Sequence, residues 1–185
     1  AIKLTWASNL SLVSPDNPSK CSSGLNTPSA SVFSIAFNLC EGHLADDVTF
    51  YIDNITIQAT KQNEEIVKYW AKLIQNGDFE QEATSSFTVR IHNAGDGAPT
   101  IEEGIGVDDS RGIKVVVPAK ESETWDSQFF INFKEKIQEG QMVRIKMSVK
   151  SNEAGNSIES QCHQEAGNYI YWNCVGNVSF TEEWT

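Results

Sequence analysis

The sequence predicts an all-β domain, a sandwich or barrel with one short connecting helix. Three observations predict it. Apolar residues recur at every second position in several stretches, 31–39, 48–57 and 141–150 among them. Clusters of Gly, Pro, Asn and Asp separate the alternating stretches, and many short half-buried strands between turns give this pattern. The 185 residues are 39% hydrophobic and 21% charged, which is enough apolar material for one packed core.

The elements follow in chain order. Residues 31–39 place Phe33, Ile35, Phe37 and Leu39 on one face and Ser34 and Asn38 on the other. Residues 48–57 alternate likewise, with Phe50, Ile52 and Ile55 facing in. The stretch 62–72 breaks the rule. Its acids Glu64 and Glu65 come first and its lysines Lys68 and Lys72 come last, the order a helix dipole favours, so the short helix is expected there. Strands are expected again at 87–92, 112–117 and 127–133. In the clearest stretch, 141–150, Val143, Ile145, Met147 and Val149 alternate with Arg144, Lys146, Ser148 and Lys150. Three more follow at 157–164, 169–174 and 178–181. Turn residues at 15–18, 93–97, 139–140 and 152–156 separate these stretches.

Charge excludes several functions. With 14 Lys and Arg against 25 Asp and Glu the formal net charge is −11, a poor match for phosphate backbones or anionic membrane surfaces. No apolar run reaches the length of a membrane span. The first residues, Ala1-Ile2-Lys3-Leu4, do not read as a signal peptide, so a mature product or an excised piece is expected. The four cysteines, Cys21, Cys40, Cys162 and Cys174, form no C-x-x-C pair. They allow two disulfides in an oxidising compartment or four reduced thiols.

Catalytic patterns are missing. The histidines His43, His92 and His163 have no metal-ligand spacing, and there is no nucleophile elbow or P-loop. Acid pairs such as Asp46-Asp47 and Asp108-Asp109 read as solvated loops, so no enzyme is expected. The aromatic residues say more. Trp125 stands in a polar stretch, and Tyr169, Tyr171 and Trp172 cluster near Gln161, His163 and Asn168. Flat rings beside amide and imidazole groups suit a sugar, whose C–H faces stack and whose hydroxyls need donors and acceptors. The same rings also suit the ends of a sandwich core. Acidic loops between strands are also ready sources of calcium ligands.

Four stretches add a resemblance. Leu73-Ile74-Gln75-Asn76-Gly77-Asp78-Phe79-Glu80 resembles the opening strand of bacterial carbohydrate-binding modules, and Trp125-Asp126-Ser127-Gln128 resembles a segment of the family 4 type. Thr49-Phe50-Tyr51-Ile52-Asp53-Asn54-Ile55-Thr56 resembles their closing strand. The run from Gln161 to Trp184 is similar to xylan-binding modules attached to xylanases of gut Bacteroidetes. The order is permuted, because the closing motif precedes the opening one. Residues 1–60 are thus expected to supply C-terminal-type strands, 61–75 a connector and 76–185 N-terminal-type strands, the two parts completing one sandwich. A circular permutation or the halves of a tandem pair both give this order.

The resemblance implies a β-sandwich jelly roll and a non-catalytic module, secreted or held at a bacterial cell surface, that binds xylan in an open cleft and serves an attached catalytic domain. Cellulose or mixed-linkage β-glucan is the alternative glycan. A jelly-roll glycan-processing enzyme and a protein-adhesion module are the competing functions. By motif match Trp125 is the stacking platform and Gln128 its hydroxyl partner, with Gln161, His163, Tyr169 and Trp172 lining the cleft. A structural calcium is implied at Glu80 and Asp53, with Asp109 a looser match. A Cys162–Cys174 bridge is expected to stiffen the hairpin that carries His163 and Tyr169.

Overall fold

The computed structural model describes residues 2–7, 11–13, 32–40, 46–62, 68–91, 94–119, 123–137, 141, 143–153, 155–165, 168–170 and 175–185. The described chain is all-β, with a single 3-10 turn at Val107–Asp109. No helix among the described residues is long and apolar enough to cross a membrane.

Alternation builds two main sheets. The first runs in the order β2 (Ser11–Val13), β1 (Ile2–Ala7), β11 (Val143–Ser151), β4 (Val48–Gln62), β9 (Gly112–Val117) and β8 (Thr100–Glu102), and β5 (Lys68–Lys72) also pairs with β4. The second runs β14 (Asn168–Ile170), β13 (Ser160–Glu165), β3 (Val32–Asn38), β10 (Gln128–Ile137), β6 (Phe87–Ile91) and β7 (Gly95–Gly97). A separate ribbon pairs β12 (Asn156–Ile158) with β15 (Val178–Phe180). Strands from both ends of the chain intermix: β3 lies between β10 and β13, and β4 between β11 and β9.

One core joins the sheets. Ile35 and Phe37 of β3 and Phe129, Ile131 and Phe133 of β10 belong to the same buried cluster as Phe50, Ile52 and Ile57 of β4 and Ile145 and Val149 of β11. These are the alternate positions that period-two patterning assigns to one face. Phe87 stacks on Phe129 with centroids 6.0 Å apart, and Phe50 meets Phe180 edge-on at 5.0 Å. The result is a β-sandwich-like arrangement of two layers on a common interior.

The expected helix is not there. Lys68–Lys72 is strand β5, antiparallel to β4, with Gln62 opposite Lys68 and Gln58 opposite Lys72. Residues 63–67 of that expectation lie outside the described residues. The charge order that suits a helix dipole is worth a few tenths of a kcal/mol to about 1 kcal/mol. Pairing along the unbonded edge of β4 supplies a hydrogen-bond ladder, and Trp70 gains a guanidinium over its ring, Arg144 Cζ lying 4.3 Å from the centroid. The stretch 157–164 also divides, into β12 and β13. Of 169–174, Asn168–Ile170 is strand and 171–174 lie outside the described residues.

β4 is broken at its middle. Ser148 pairs with Asp53 and Lys146 with Thr56, so Asn54 and Ile55 together oppose Met147 in a bulge. Asn54 takes the left-handed conformation there (φ 53°), which a short amide side chain tolerates. On its other edge β4 pairs with β9 up to Ile52 and with β5 from Gln58 on. Gly77 bridges the gap: its carbonyl accepts from Ile55 N at 2.6 Å.

Candidate functional site

The outward face of the six-stranded sheet is polar and ordered by register. On β10, Phe129, Ile131 and Phe133 point into the core, so Gln128, Phe130 and Asn132 point away. Gln128 lies opposite Arg90 of β6 and Asn38 of β3, and Arg90 lies opposite Asp96 of β7. One step along, Phe130 lies opposite Thr88 and Ala36, and Ala36 opposite Gln161. The third row runs from Asn132 through Ser34 and His163 to Tyr169.

A hydrogen-bond chain crosses the first row, and its polarity is fixed by Arg90. Asp96 accepts from Arg90 Nε at 2.7 Å and from Nη2 at 3.1 Å. These bonds hold the Asp96 carboxyl below the usual carboxylate range. Arg90 Nη1 donates to Gln128 Oε1 at 3.0 Å, since a guanidinium only donates. The Gln128 Nε2 group must then turn to Asn38, and donates to its Oδ1 at 2.8 Å. That leaves Asn38 Nδ2 as a donor at the end of the chain. It has no hydrogen-bond partner among the described residues, nor does Ser34 Oγ, and both residues are fully buried.

Phe130 centres the second row. The Arg90 guanidinium lies 5.2 Å from its centroid, and the His163 ring meets it edge-on at 5.6 Å. Burial, and after it the Arg90 charge, hold the His163 imidazole below its usual value. It is therefore neutral near pH 7, with one N–H to donate and one nitrogen to accept.

The expected glycan residues separate into three groups. Gln128, Gln161, His163 and, by register, Tyr169 share this sheet face. Trp125 stands in the turn before β10, which Asp126 N closes on the Glu123 carbonyl at 3.0 Å, and it is 49% exposed. Trp172 lies outside the described residues, as do the side chain of Tyr169 and Cys174. An open cleft was expected, yet Gln128, Gln161 and His163 are only 2%, 9% and 3% exposed. They are buried on the outward side of the sheet, not between the layers. Cys162 is disulfide-bonded and Cys40 is a free, buried thiol.

Of the expected calcium residues, two are brought near each other. Asp53 is buried, and burial is the main cause that raises its carboxyl value, with the Glu80 charge a smaller one in the same direction. Its Oδ1 accepts from Asn54 N at 2.6 Å, and its Oδ2 from Val107 N at 2.9 Å and Ser110 Oγ at 3.0 Å. Glu80 Oε1 accepts from Arg111 N at 3.3 Å. Asp109 is exposed at the end of the 3-10 turn. Among the described residues no group of three or more His, Cys, Asp or Glu is gathered as a metal site. The donor set does not fit a calcium ion as it stands, because N–H and O–H hydrogens point at the Asp53 oxygens where a cation would sit. In this arrangement Asp53 clasps the loop that carries Val107 and Ser110 against β4.

Sequence reasoning passed over Arg90, Asp96, Asn38, Ser34 and Phe130. The signal was available for the β3 pair, since Ser34 and Asn38 are the polar positions of a strand whose other face is apolar. No sequence signal joins Arg90 to Asp96, because the β6–β7 register sets that contact. No family model, curated protein or solved structure matches the chain.

Proposed function

We propose that the chain is a non-catalytic carbohydrate-binding module of jelly-roll form. The outward face of its six-stranded sheet takes a β-linked glycan, with xylan the first candidate and cellulose or mixed-linkage β-glucan the alternative. One observation carries the reading: an oriented chain of side chains, Asp96 to Arg90 to Gln128 to Asn38, ends in a buried amide donor without a partner among the described residues. A buried unsatisfied polar group costs about 1–3 kcal/mol. A ligand rich in hydroxyls relieves that cost and is held in one orientation by it. The neutral His163 and the Gln161 amide add donors and acceptors on the same face. Trp125 supplies the exposed ring for stacking on a pyranose.

In this reading the module raises the local concentration of polymer at an attached catalytic domain, as tethering does. The disulfide at Cys162 agrees with export to an oxidising compartment, at the bacterial surface or beyond it.

Calorimetry against xylohexaose, cellohexaose and laminarihexaose, each with and without a chelator, tests the reading. Xylohexaose should bind most tightly; tighter cellohexaose or laminarihexaose selects the alternative glycan, and no heat with any of the three overturns the function. Trp125→Ala should lose retention on insoluble xylan with an unchanged circular dichroism spectrum; full retention removes Trp125 from the site.

A further inference from the structure

The seven-stranded sheet carries a second chemical feature on the face turned from the core. Cations concentrate there. Lys72 lies opposite Gln58 and Gln58 opposite Arg144; Thr56 lies opposite Lys146, and Lys146 opposite Lys3; Lys114 lies opposite Tyr51, and Tyr51 opposite Lys150. In a chain with 25 acids and 14 bases, cations find acids easily. Off this face Lys61 meets Glu135, Arg90 meets Asp96, and Arg111 meets Glu82 and Glu103. On it Lys114 meets Glu102 at 3.5 Å, while Lys72, Arg144, Lys146 and Lys150 have no ion pair among the described residues.

Arg144 is set up to receive a carboxylate. Its guanidinium stacks on Trp70 with Cζ 4.3 Å from the centroid, and its Nε donates to Gln58 Oε1 at 2.6 Å. Neither terminal amino group has a hydrogen-bond partner among the described residues, and both lie in a plane fixed by the stack and the Nε bond. That planar fork matches the two oxygens of a carboxylate.

A cavity opens beside it. The gap in β4 between its β9 and β5 partners leaves about 150 Å³ of space, lined in part by Asn54, Thr56, Lys72, Asn76 and Asp78. Lys72 and Thr56 belong to both the cavity and the cationic rows. A cavity of this order admits one six-membered ring. Its lining offers an amide, a hydroxyl and an ammonium group. Asp78 is the one acid on its wall, against Lys72 in the cavity and Arg144 and Lys146 beside it.

We propose that this cavity and the Lys72, Arg144 and Lys146 group form a second saccharide site, specific for a carboxylate-bearing sugar such as a uronic acid branch on a polysaccharide. The ring enters the gap in β4 and the carboxylate meets the cations. A densely charged polyanion is disfavoured by the net charge of −11, whereas an isolated carboxylate on a neutral chain meets only the local field. The choice of a sugar over other carboxylates rests on the glycan reading of the opposite sheet.

Calorimetry on the intact chain tests the site through stoichiometry. Neutral xylohexaose should fill one site. The same oligosaccharide bearing one glucuronic acid branch should fill two, and the second should be lost in the K72Q/K146Q variant, with affinity there down about tenfold or more. Salt at about 0.5 M should weaken the second site and spare the first. One site for both oligosaccharides, with equal affinity, overturns this inference and leaves the opposite face standing. One site for the branched sugar, sensitive to K72Q/K146Q, with none for the neutral sugar, supports this inference and removes the other. Polyglutamate displacing the branched sugar from the second site at equal carboxylate concentration overturns it in favour of an acidic peptide.

Discussion

Gln128 sets the polarity of the buried hydrogen-bond chain, because Arg90 allows only its oxygen to face one way. Replacing that amide by a carboxylate reverses the far end. With Gln128→Glu, both oxygens accept, so Asn38 turns its Nδ2 inward and the free donor disappears. Arg90 neutralises the new charge, so the fold should survive. Xylohexaose affinity should drop about tenfold, the worth of one oriented hydrogen bond to a buried group. Undiminished affinity in a cooperatively melting variant would remove Asn38 from the site. His163 makes a separate prediction. Its folded value lies below the usual one of about 6.5, so the unfolded chain takes up the proton first as pH falls. Its contribution is therefore complete above about pH 6.5 and is lost progressively below. His163→Phe keeps an aromatic ring against Phe130 and removes the proton. Between about pH 7 and pH 5 its melting temperature should fall less than that of the parent chain. Asp53, raised by burial, acts in the opposite sense in both proteins and cancels from the difference. Coincident curves would contradict the buried neutral imidazole.

At the scale of elements, the break in β4 organises its surroundings. It ends pairing with β9, starts pairing with β5 and leaves the cavity between them. Gly77 holds the break closed on one side. A Cβ placed there would lie 1.9 Å from the Ile55 carbonyl oxygen, a backbone atom that cannot swing aside. Gly77→Ala should therefore cost about 3 kcal/mol or more in urea unfolding, at the high end for a single substitution. A loss below about 1 kcal/mol would mean that the loop can leave β4 without consequence. The alternations of β3 and β11 were legible from the sequence because each has one face in the core. So was the shared parity of Gln161 and His163. β5 was not, since Lys68-Tyr69-Trp70-Ala71-Lys72 alternates too briefly to outweigh a helical charge order. The short strands β7 and β8 owe their state to hairpin pairing with β6 and β9, which their own residues do not announce, and Gly95–Gly97 reads locally as a turn. Burial of the outer face of the six-stranded sheet was also illegible, because alternation separates the two faces of a sheet and says nothing of what lies beyond the outer one.

At the scale of the whole molecule, the register of β11 relates the two ends of the chain. Thr185 and Val149 exchange both backbone hydrogen bonds at 3.1 Å, the mark of an antiparallel pair. Ile2 lies opposite Met147 on β11. Counting along one strand facing β11, the position opposite Ser148 falls between Thr185 and Ile2, and in a joined chain residue 1 alone would occupy it. Trp184 keeps the same register, its ring 5.8 Å from Lys150 Nζ on the outward face. The segments that begin and end this sequence therefore continue one another as a single strand beside β11. A permuted chain with Thr185 joined to Ala1, opened between β4 and β5, keeps every described strand pairing except the covalent link of that hairpin. It also runs from the Asn76-Gly77-Asp78-Phe79-Glu80 motif to the Asp53 strand, the order found in the carbohydrate-binding modules these motifs resemble. Such a chain should fold with the same circular dichroism spectrum and melt within about 4 °C of the parent, the shift expected for roughly 1 kcal/mol of altered loop closure. A permutant left unfolded under conditions where the parent is native would show that residues 1–60 and 76–185 do not share one closed set of sheets.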